Sequence, residues 1–417
     1  MCRTRTQAAP VGGDGEPDLR HGRARTPDLV DTDVPASVGH TLDQILRERL
    51  DAARDIDATF ADDVARRVAR FTLDGGKRMR SQFLWWSLRA CGGPADAART
   101  EAALRIAAGL ELIQTCALVH DDVMDGSPLR RGGASVHRDL SAQYARPDGT
   151  GRAFGGSAAI LVGDLALAWA DDVVTATALG PAAEHRVREL WQAMRTEMVA
   201  GQYLDLHGQA TEARSVSRAI RTASLKSALY SVERPLALGA AVAEADEAAT
   251  EALCSAGRCA GLAFQLRDDL LGAFGDPRRT GKPSGEDLRE GKLTYLVEVA
   301  RARATAAADH RSLTVLEKTV GNREAGEDDL DRVRDVLVAT GARGVVRDRI
   351  QQLAERSLRC LDGAALTPHA AQRLRGLLGA AAGVPPSGAG AGPPDPEHST
   401  AGTGPDPVRP CSGTGRR

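Results

Sequence analysis

The sequence predicts an all-α protein, and three observations carry that reading. Aromatic residues make up 3% of the chain, too few for a sandwich or barrel, whose strands draw on Tyr, Phe and Trp. Apolar residues recur at three- and four-residue spacing through TLDQILRERLDAAR, EAALRIAAGLELIQTCALVHDDVMD, SAAILVGDLALAWADDVV, EALCSAGRCAGLAFQLRDDLL and ARGVVRDRIQQLAERSLRCL. No alternating strand blocks and no βαβ punctuation interrupt them. Segments around 104–119 and 158–170 are apolar on most faces, as buried central helices are. The pattern describes one domain in which outer helices surround inner ones, built around a cavity or a dense core.

The domain is expected over residues 41–382 of the 417. Residues 1–40 mix Arg, Asp, Pro and Gly without apolar periodicity, and residues 383–417 are rich in Pro, Gly and Ser. Neither stretch can bury enough apolar surface to offset its ordering entropy, so both are expected to be disordered tails. Hydrophobic residues are 42% and charged residues 26%, ordinary for a globular protein, and the net charge of -2 gives no bulk field for nucleic acid. No uninterrupted run of about eighteen uncharged apolar residues exists, so no membrane-spanning helix is expected. The start, MCRTRTQAAPVGGDGEPDLR, lacks the apolar centre of a signal peptide. Seven cysteines are dispersed, and Cys254 and Cys259 have no companion ligands for zinc. These features lead us to expect a soluble, cytoplasmic protein with reduced thiols.

Chemistry-bearing blocks follow in chain order. LDGGKRMRSQ offers two glycines that let backbone approach an anion, with Lys77, Arg78 and Arg80 supplying charge. HDDVMDGSPLRRGG ends the apolar segment LIQTCALV. On a helix of about 3.6 residues per turn, Asp121 and Asp125 share a face and Asp122 lies about 100° round. Three carboxylates that close repel one another unless cations neutralise them, and hard oxygen donors suit magnesium bridging to phosphates. Arg130 and Arg131 follow in a glycine-containing turn, placed to grip phosphate oxygens. MVAGQYLDL sets Gln202 and Asp205 three apart, and LKSALYS carries Lys226 and Ser227; each is weak alone.

The last block is QLRDDLLGAFGDPRRTGKPSGEDLREGK. Gln265, Asp268 and Asp269 fall at i, i+3 and i+4, on one helix face, and the helix must end near GAFGDP. Lys282, Lys292 and a glycine-rich turn follow. Where a third aspartate would complete the acidic pattern stands Gly272. Two magnesium-type carboxylate sites and at least two basic phosphate-type sites suggest two diphosphate substrates, one of them metal-bound.

The order GGKRMR, HDDVMDGSPLRRG, GQYLD, LKSAL and FQLRDDLLGAFGDPRRTGKPSGEDLREGK resembles the all-trans isoprenyl diphosphate synthases, closest to the bacterial geranylgeranyl diphosphate synthases, over roughly residues 41–382. The resemblance implies a helical bundle of the isoprenoid synthase type around a central apolar cavity, working as a homodimer. It implies a magnesium-dependent prenyltransferase that joins isopentenyl diphosphate to an allylic diphosphate. Asp121, Asp122, Asp125, Asp268 and Asp269 would hold three magnesium ions. Arg130, Gln202, Lys226, Ser227, Gln265 and Lys282 would bind the allylic diphosphate or stand near the cation it leaves. Lys77, Arg80, Gln114 and Arg131 would bind isopentenyl diphosphate.

Within the resemblance Gln114 stands where histidine or glutamine is usual, and Ser227 where threonine is usual. Ser81 replaces a common proline, with little consequence expected. Gly272 replaces a peripheral third aspartate, so Gly272→Asp is expected to change little and Asp268→Ala to remove activity by orders of magnitude. Asp276 is not expected to substitute. The growing tail is expected to pass small residues at Ala117 and Cys116, with Ile113, Leu165 and Trp169 forming the pocket beyond, giving a twenty-carbon product. Two alternatives remain from the sequence. One is a class I terpene cyclase, for which no Asn/Ser/Glu metal triad is found. The other is a non-catalytic subunit of a heteromeric synthase, which the trimmed second cluster invites.

Overall fold

The computed structural model describes residues 26–92, 96–147, 149–211, 214–275 and 284–384. Lys282 and Asp276, together with residues 1–25 and 385–417 of the two expected tails, lie outside the described residues. Helices dominate in chain order: α1 (Pro27–Thr32), α2 (Val34–Ile56), α3 (Ala58–Phe60), α4 (Arg66–Leu73), α5 (Met79–Ala90) and α6 (Ala97–Asp125). After a two-stranded hairpin, β1 (Leu129–Arg130) with β2 (Gly133–Ala134), come α7 (Val136–Gln143), α8 (Thr150–Thr175) and α9 (Pro181–Ala210). Then α10 (Val216–Ala223) runs through a π-helical stretch, Ser224–Glu233, into α11 (Arg234–Val242), and α12 spans Glu247–Phe274. Shorter helices from Glu286 to Ala382 complete the body.

The helical body starts at Pro27, not at residue 41. Asp33 caps α2 by accepting from the Ala36 amide at 2.9 Å, and Pro35 sits in the first turn, where its missing N–H costs nothing. Val30, Val34 and Val38 are buried and run at four-residue spacing into Leu42 and Leu46. The charged residues between them hid this stripe from a reading based on composition.

The α6 helix is the inner element. Asp96 caps it through the Arg99 amide, and Gly126 ends it at a positive φ of 70°. It packs along α8, and Gly109 makes the approach possible: a Cβ there would lie 2.5 Å from the Val174 side chain. One apolar cluster joins α2, α5, α6, α8 and α11; a second joins the later part of α12 to helices between Tyr295 and Asp362. By length and composition α6 and α8 could each cross a membrane, which differs from the expectation, since Asp164 interrupts the apolar run of α8 without making the helix polar. Here the two helices pack on one another, and 72% of the apolar window of α6 is buried inside the protein. All five cysteines among the described residues are unbridged.

Candidate active site

The first carboxylate group sits on the last two turns of α6. The β1–β2 hairpin folds Arg130 back over this helix end, where its guanidinium donates to Asp122 Oδ1 from Nε at 2.9 Å and reaches Asp121 Oδ2 at 3.5 Å. Asp122 is 1% exposed. Its carboxylate orients Arg130 in this structure. The other oxygen of Asp121 meets α9 and the π-helical stretch. Gln202 Nε2 donates to its Oδ1 at 3.2 Å, and Lys226 Nζ lies 3.2 Å from the same atom.

Lys226 also donates to Asp205 Oδ2 at 2.7 Å. Asp205, three residues after Gln202, is buried at the centre of this network. Gly201 permits the arrangement, because a Cβ there would sit 2.4 Å from the Lys226 amide. The π-helical turn widens the backbone at this point, a distortion common at functional sites.

A second lysine ties the α6 group to carboxylates of the segment after α12. Lys292 Nζ lies 3.1 Å from Asp125, 3.2 Å from Asp287 and 2.9 Å from Glu290. The glycine-rich turn and the short helix Glu286–Glu290 bring it there; the Gly285 amide donates to the Gly272 carbonyl at 2.8 Å. Sequence spacing assigns Lys292 and Asp287 no role; the fold brings them to Asp125 and Gly272.

The second carboxylate group lies on α12. Asp269 is buried, whereas Asp268 is exposed on the same helix end. A side-chain relay supports Asp269: the Ser227 hydroxyl donates to Gln265 Oε1, and Gln265 Nε2 donates to Asp269 Oδ1 at 2.8 Å. Gly272 is not an open gap. A Cβ at this position would meet Asp287 Oδ2 at 2.5 Å, so the carboxylate of Asp287 already fills the space beside it. An aspartate at 272 would have to move the Asp287 side chain.

Burial and charge set these carboxyls apart. Burial raises the Asp121 carboxyl, but Lys226, Lys292 and Arg130 outweigh it and hold it below the ordinary value. Burial wins at Asp125 despite Lys292, and the carboxyl is raised. Asp269 is pushed up to about 8, first by burial, with Asp287, Asp268 and Asp205 adding repulsion against the Gln265 hydrogen bond. Lys226 stays charged although burial opposes it, because Asp205 and Asp121 favour the ammonium form.

The basic residues expected at a second anion site gather around the α4–α5 turn. Lys77 is exposed there, and its carbonyl accepts from Gln82. Arg80 Nη2 donates to the Ser231 hydroxyl at 2.8 Å and lies 4.5 Å over the Tyr230 ring. Arg131, at a positive φ of 52°, donates to the Phe71 carbonyl at 2.9 Å and stacks on its ring. Gln114, on α6, has its Oε1 buried and without a protein partner. Ser81 donates to Glu111 Oε1 at 2.6 Å, so the serine is tied into the packing beneath this turn.

Of the residues expected along the tail path, Ala117 is half-buried and lies about 40° round α6 from Asp121, on the same face. Cys116 is about 140° round and points elsewhere: its sulfur is 3.7 Å from His120 Nδ1, toward α8. Ile113 and Trp169 are buried and Leu165 is half-buried.

Whether these groups suit magnesium follows from the donors. Among the described residues no three His, Cys, Asp or Glu side chains form a ready metal cage. Magnesium does not require one; it binds through one or two carboxylates, its own waters and substrate phosphates. Asp121 and Asp125 on one side and Asp268 and Asp269 on the other are hard oxygen donors of that kind. Lys226, Lys292 and Arg130 supply the positive charge that these carboxylates need in this structure. The residues fit the ion.

Comparison with known proteins agrees with this geometry. The family model described as polyprenyl synthetase matches residues 62–337. Geranylfarnesyl diphosphate synthase of Aeropyrum pernix is 31% identical over 286 residues, 68% of this chain and 82% of that protein. Geranylgeranyl diphosphate synthase of Saccharolobus solfataricus is 31% identical over 266 residues, 63% of this chain and 73% of that protein. The crystal structure of geranylgeranyl pyrophosphate synthase from Corynebacterium glutamicum, complexed with isoprenyl diphosphate and magnesium, superposes with a TM-score of 0.79 at 38% identity. It covers 84% of this chain and 98% of that one. With that family model over residues 62–337 and a relative 31% identical over 82% of its length, the chain belongs to the polyprenyl synthetase family.

Proposed function

We propose that this prenyltransferase condenses isopentenyl diphosphate with dimethylallyl, geranyl or farnesyl diphosphate, releasing diphosphate and yielding geranylgeranyl diphosphate. The observation that carries the reading is the separation of two groups of charged side chains, which we read as two anion sites. One lies between the α6 and α12 carboxylates with Lys226 and Arg130; the other surrounds Lys77, Arg80, Gln114 and Arg131. A cyclase needs only the first.

Magnesium, with three ions as the expected number, would neutralise the allylic diphosphate between Asp121, Asp125, Asp268 and Asp269. Arg130 and Lys226, with Lys282 and Gln202, would bind its oxygens and stabilise the charge that grows as the allylic carbon–oxygen bond breaks. Asp122 would then hold Arg130 in place. The Gln265 and Ser227 oxygens would stand beside the allylic cation. The double bond of isopentenyl diphosphate attacks that cation, and the released diphosphate takes the proton lost afterwards. The apolar interior around α6 keeps water from the cation. Ala117, on the face of Asp121, would let the tail pass, and Ile113, Leu165 and Trp169 would bound it.

We also propose a homodimer through the outer face of α8. Phe154, Ile160 and Leu161 are 45%, 46% and 58% exposed there, an apolar stripe that a second copy would cover. Light scattering of the purified chain should give twice the monomer mass.

The functional test is incubation of the purified chain with isopentenyl diphosphate, each allylic primer in turn and magnesium, with the products sized. Twenty-carbon diphosphate is expected. Cyclic hydrocarbon would indicate a cyclase, and no magnesium-dependent turnover would indicate a partner subunit; either result rejects the proposal.

A further inference from the structure

Three buried polar atoms near the basic turn have no protein partner: Arg80 Nε, Gln114 Oε1 and the Tyr230 hydroxyl. They come from three elements, α5, α6 and the π-helical stretch. Tyr230 is 3% exposed, so its hydroxyl is hidden from bulk water as well. A buried polar atom without a partner costs stability, and native proteins hold few of them unless a ligand or function uses them. Tyr230 stands four residues after Lys226, one turn further along the same helix. Its ring lies beneath the Arg80 guanidinium at 4.5 Å, and the next residue, Ser231, accepts from Arg80 Nη2 at 2.8 Å. Glu111 and Cys116 of α6 are the other charged or titratable groups that Tyr230 faces.

We propose that Tyr230 is a positioning residue of the isopentenyl diphosphate site, its ring seating Arg80 and its hydroxyl donating to the diphosphate that Arg80 binds. Two of the three atoms support this ligand; the third, Gln114 Oε1, is an acceptor that a diphosphate does not satisfy. Tyr230 O–H and Arg80 Nε–H are both donors in need of an acceptor, and a diphosphate offers several anionic oxygens. The ring contributes separately. A guanidinium held on an aromatic face and tied to Ser231 loses little freedom when the anion arrives, so its orientation is set in advance.

The inference rests on the proposed function, and the experiment separates the two. Isopentenyl diphosphate alone is titrated calorimetrically into wild type, Tyr230→Phe and Tyr230→Leu, since without a primer it binds and does not react. If wild type fails to bind it, the functional reading fails. If wild type binds, Tyr230→Phe is expected to weaken binding about ten- to hundredfold, on the scale of one lost hydrogen bond to a charged group, and Tyr230→Leu further. Steady-state kinetics should show a raised KM for isopentenyl diphosphate with the allylic KM and product length unchanged. Removing an unpartnered hydroxyl should leave Tm of the free Tyr230→Phe protein unchanged or raised, so its binding loss is not an unfolding effect. Unchanged binding by Tyr230→Phe, equal weakening toward both substrates, or an altered product length would overturn the proposal.

Discussion

The two carboxylate groups are built from the same residue type and behave oppositely. The α6 group is saturated with cations: Arg130 on Asp122, Lys226 on Asp121 and Lys292 on Asp125. The α12 group has a buried Asp269 whose carboxyl is raised to about 8, supported by the neutral Ser227–Gln265 relay and crowded by Asp287. On the α6 side Lys226, Lys292 and Arg130 hold the Asp121 carboxyl below its ordinary value, while burial raises that of Asp125. On the α12 side Asp269 must lose a proton before it can serve as a ligand. A shared DD sequence therefore says little about charge state, which burial and neighbours decide.

The largest expected effects come from breaking either side. Asp121→Asn and Asp268→Ala should each lower kcat/KM on the order of 10³-fold, the scale of several kcal/mol of lost charge stabilisation. Near-normal turnover in Asp268→Ala would remove α12 from the metal site. Lys226→Met should follow, with kcat/KM down by about 10²-fold as one charged donor is lost. It should also cost about 3 kcal/mol in chemical denaturation, because Asp205 and Asp121 lose their buried partner. Stability unchanged in that variant would mean that the lysine is not holding those carboxylates.

The pH dependence sharpens the comparison. The Asp269 carboxyl titrates at about 8 in the folded chain and near 4 when unfolded. Between those values the folded state holds the extra proton, so the contribution of Asp269 to stability falls as pH rises through that window. Metal requires the ionised carboxylate, so magnesium should activate at lower concentration as pH approaches 8. Thermal melts and magnesium titrations of Asp269→Asn should lose both slopes; if they persist, the proton resides elsewhere.

Ala117→Phe should shift product toward fifteen carbons or fewer with total turnover within about tenfold of wild type, read by sizing the dephosphorylated products. An unchanged distribution would reject this tail path. The smallest effect is expected from Gly272→Asp. Because Asp287 already occupies that space, the new carboxylate should weaken magnesium activation about two- to fivefold, as like charges crowd. A gain in magnesium affinity would show that the site was truly short of a ligand.

Much of this was legible in the sequence, and the parts that were not have physical causes. Helical periodicity and scarce aromatics foretold the all-α body, and local spacing placed Asp121 and Asp125 on one face. Spacing could not show that Asp122 turns onto Arg130, since a hairpin eight residues later decides it. Lys292 and Asp287 act through a glycine-rich turn whose return onto Gly272 is a tertiary contact without a local signal. Asp205 was noticed but undervalued, because its meaning depends on Gly201 admitting the Lys226 backbone. Helix α1 and the start of α2 were missed because charges interleave the buried valines.

The most direct test of two carboxylate groups closing on one metal-bound diphosphate is calorimetric titration of inorganic diphosphate into the purified chain at pH 8, with and without magnesium. The account predicts tight binding only with magnesium, lost in Asp121→Asn and in Asp268→Ala alike. Binding that ignores magnesium, or that survives either substitution, would contradict it.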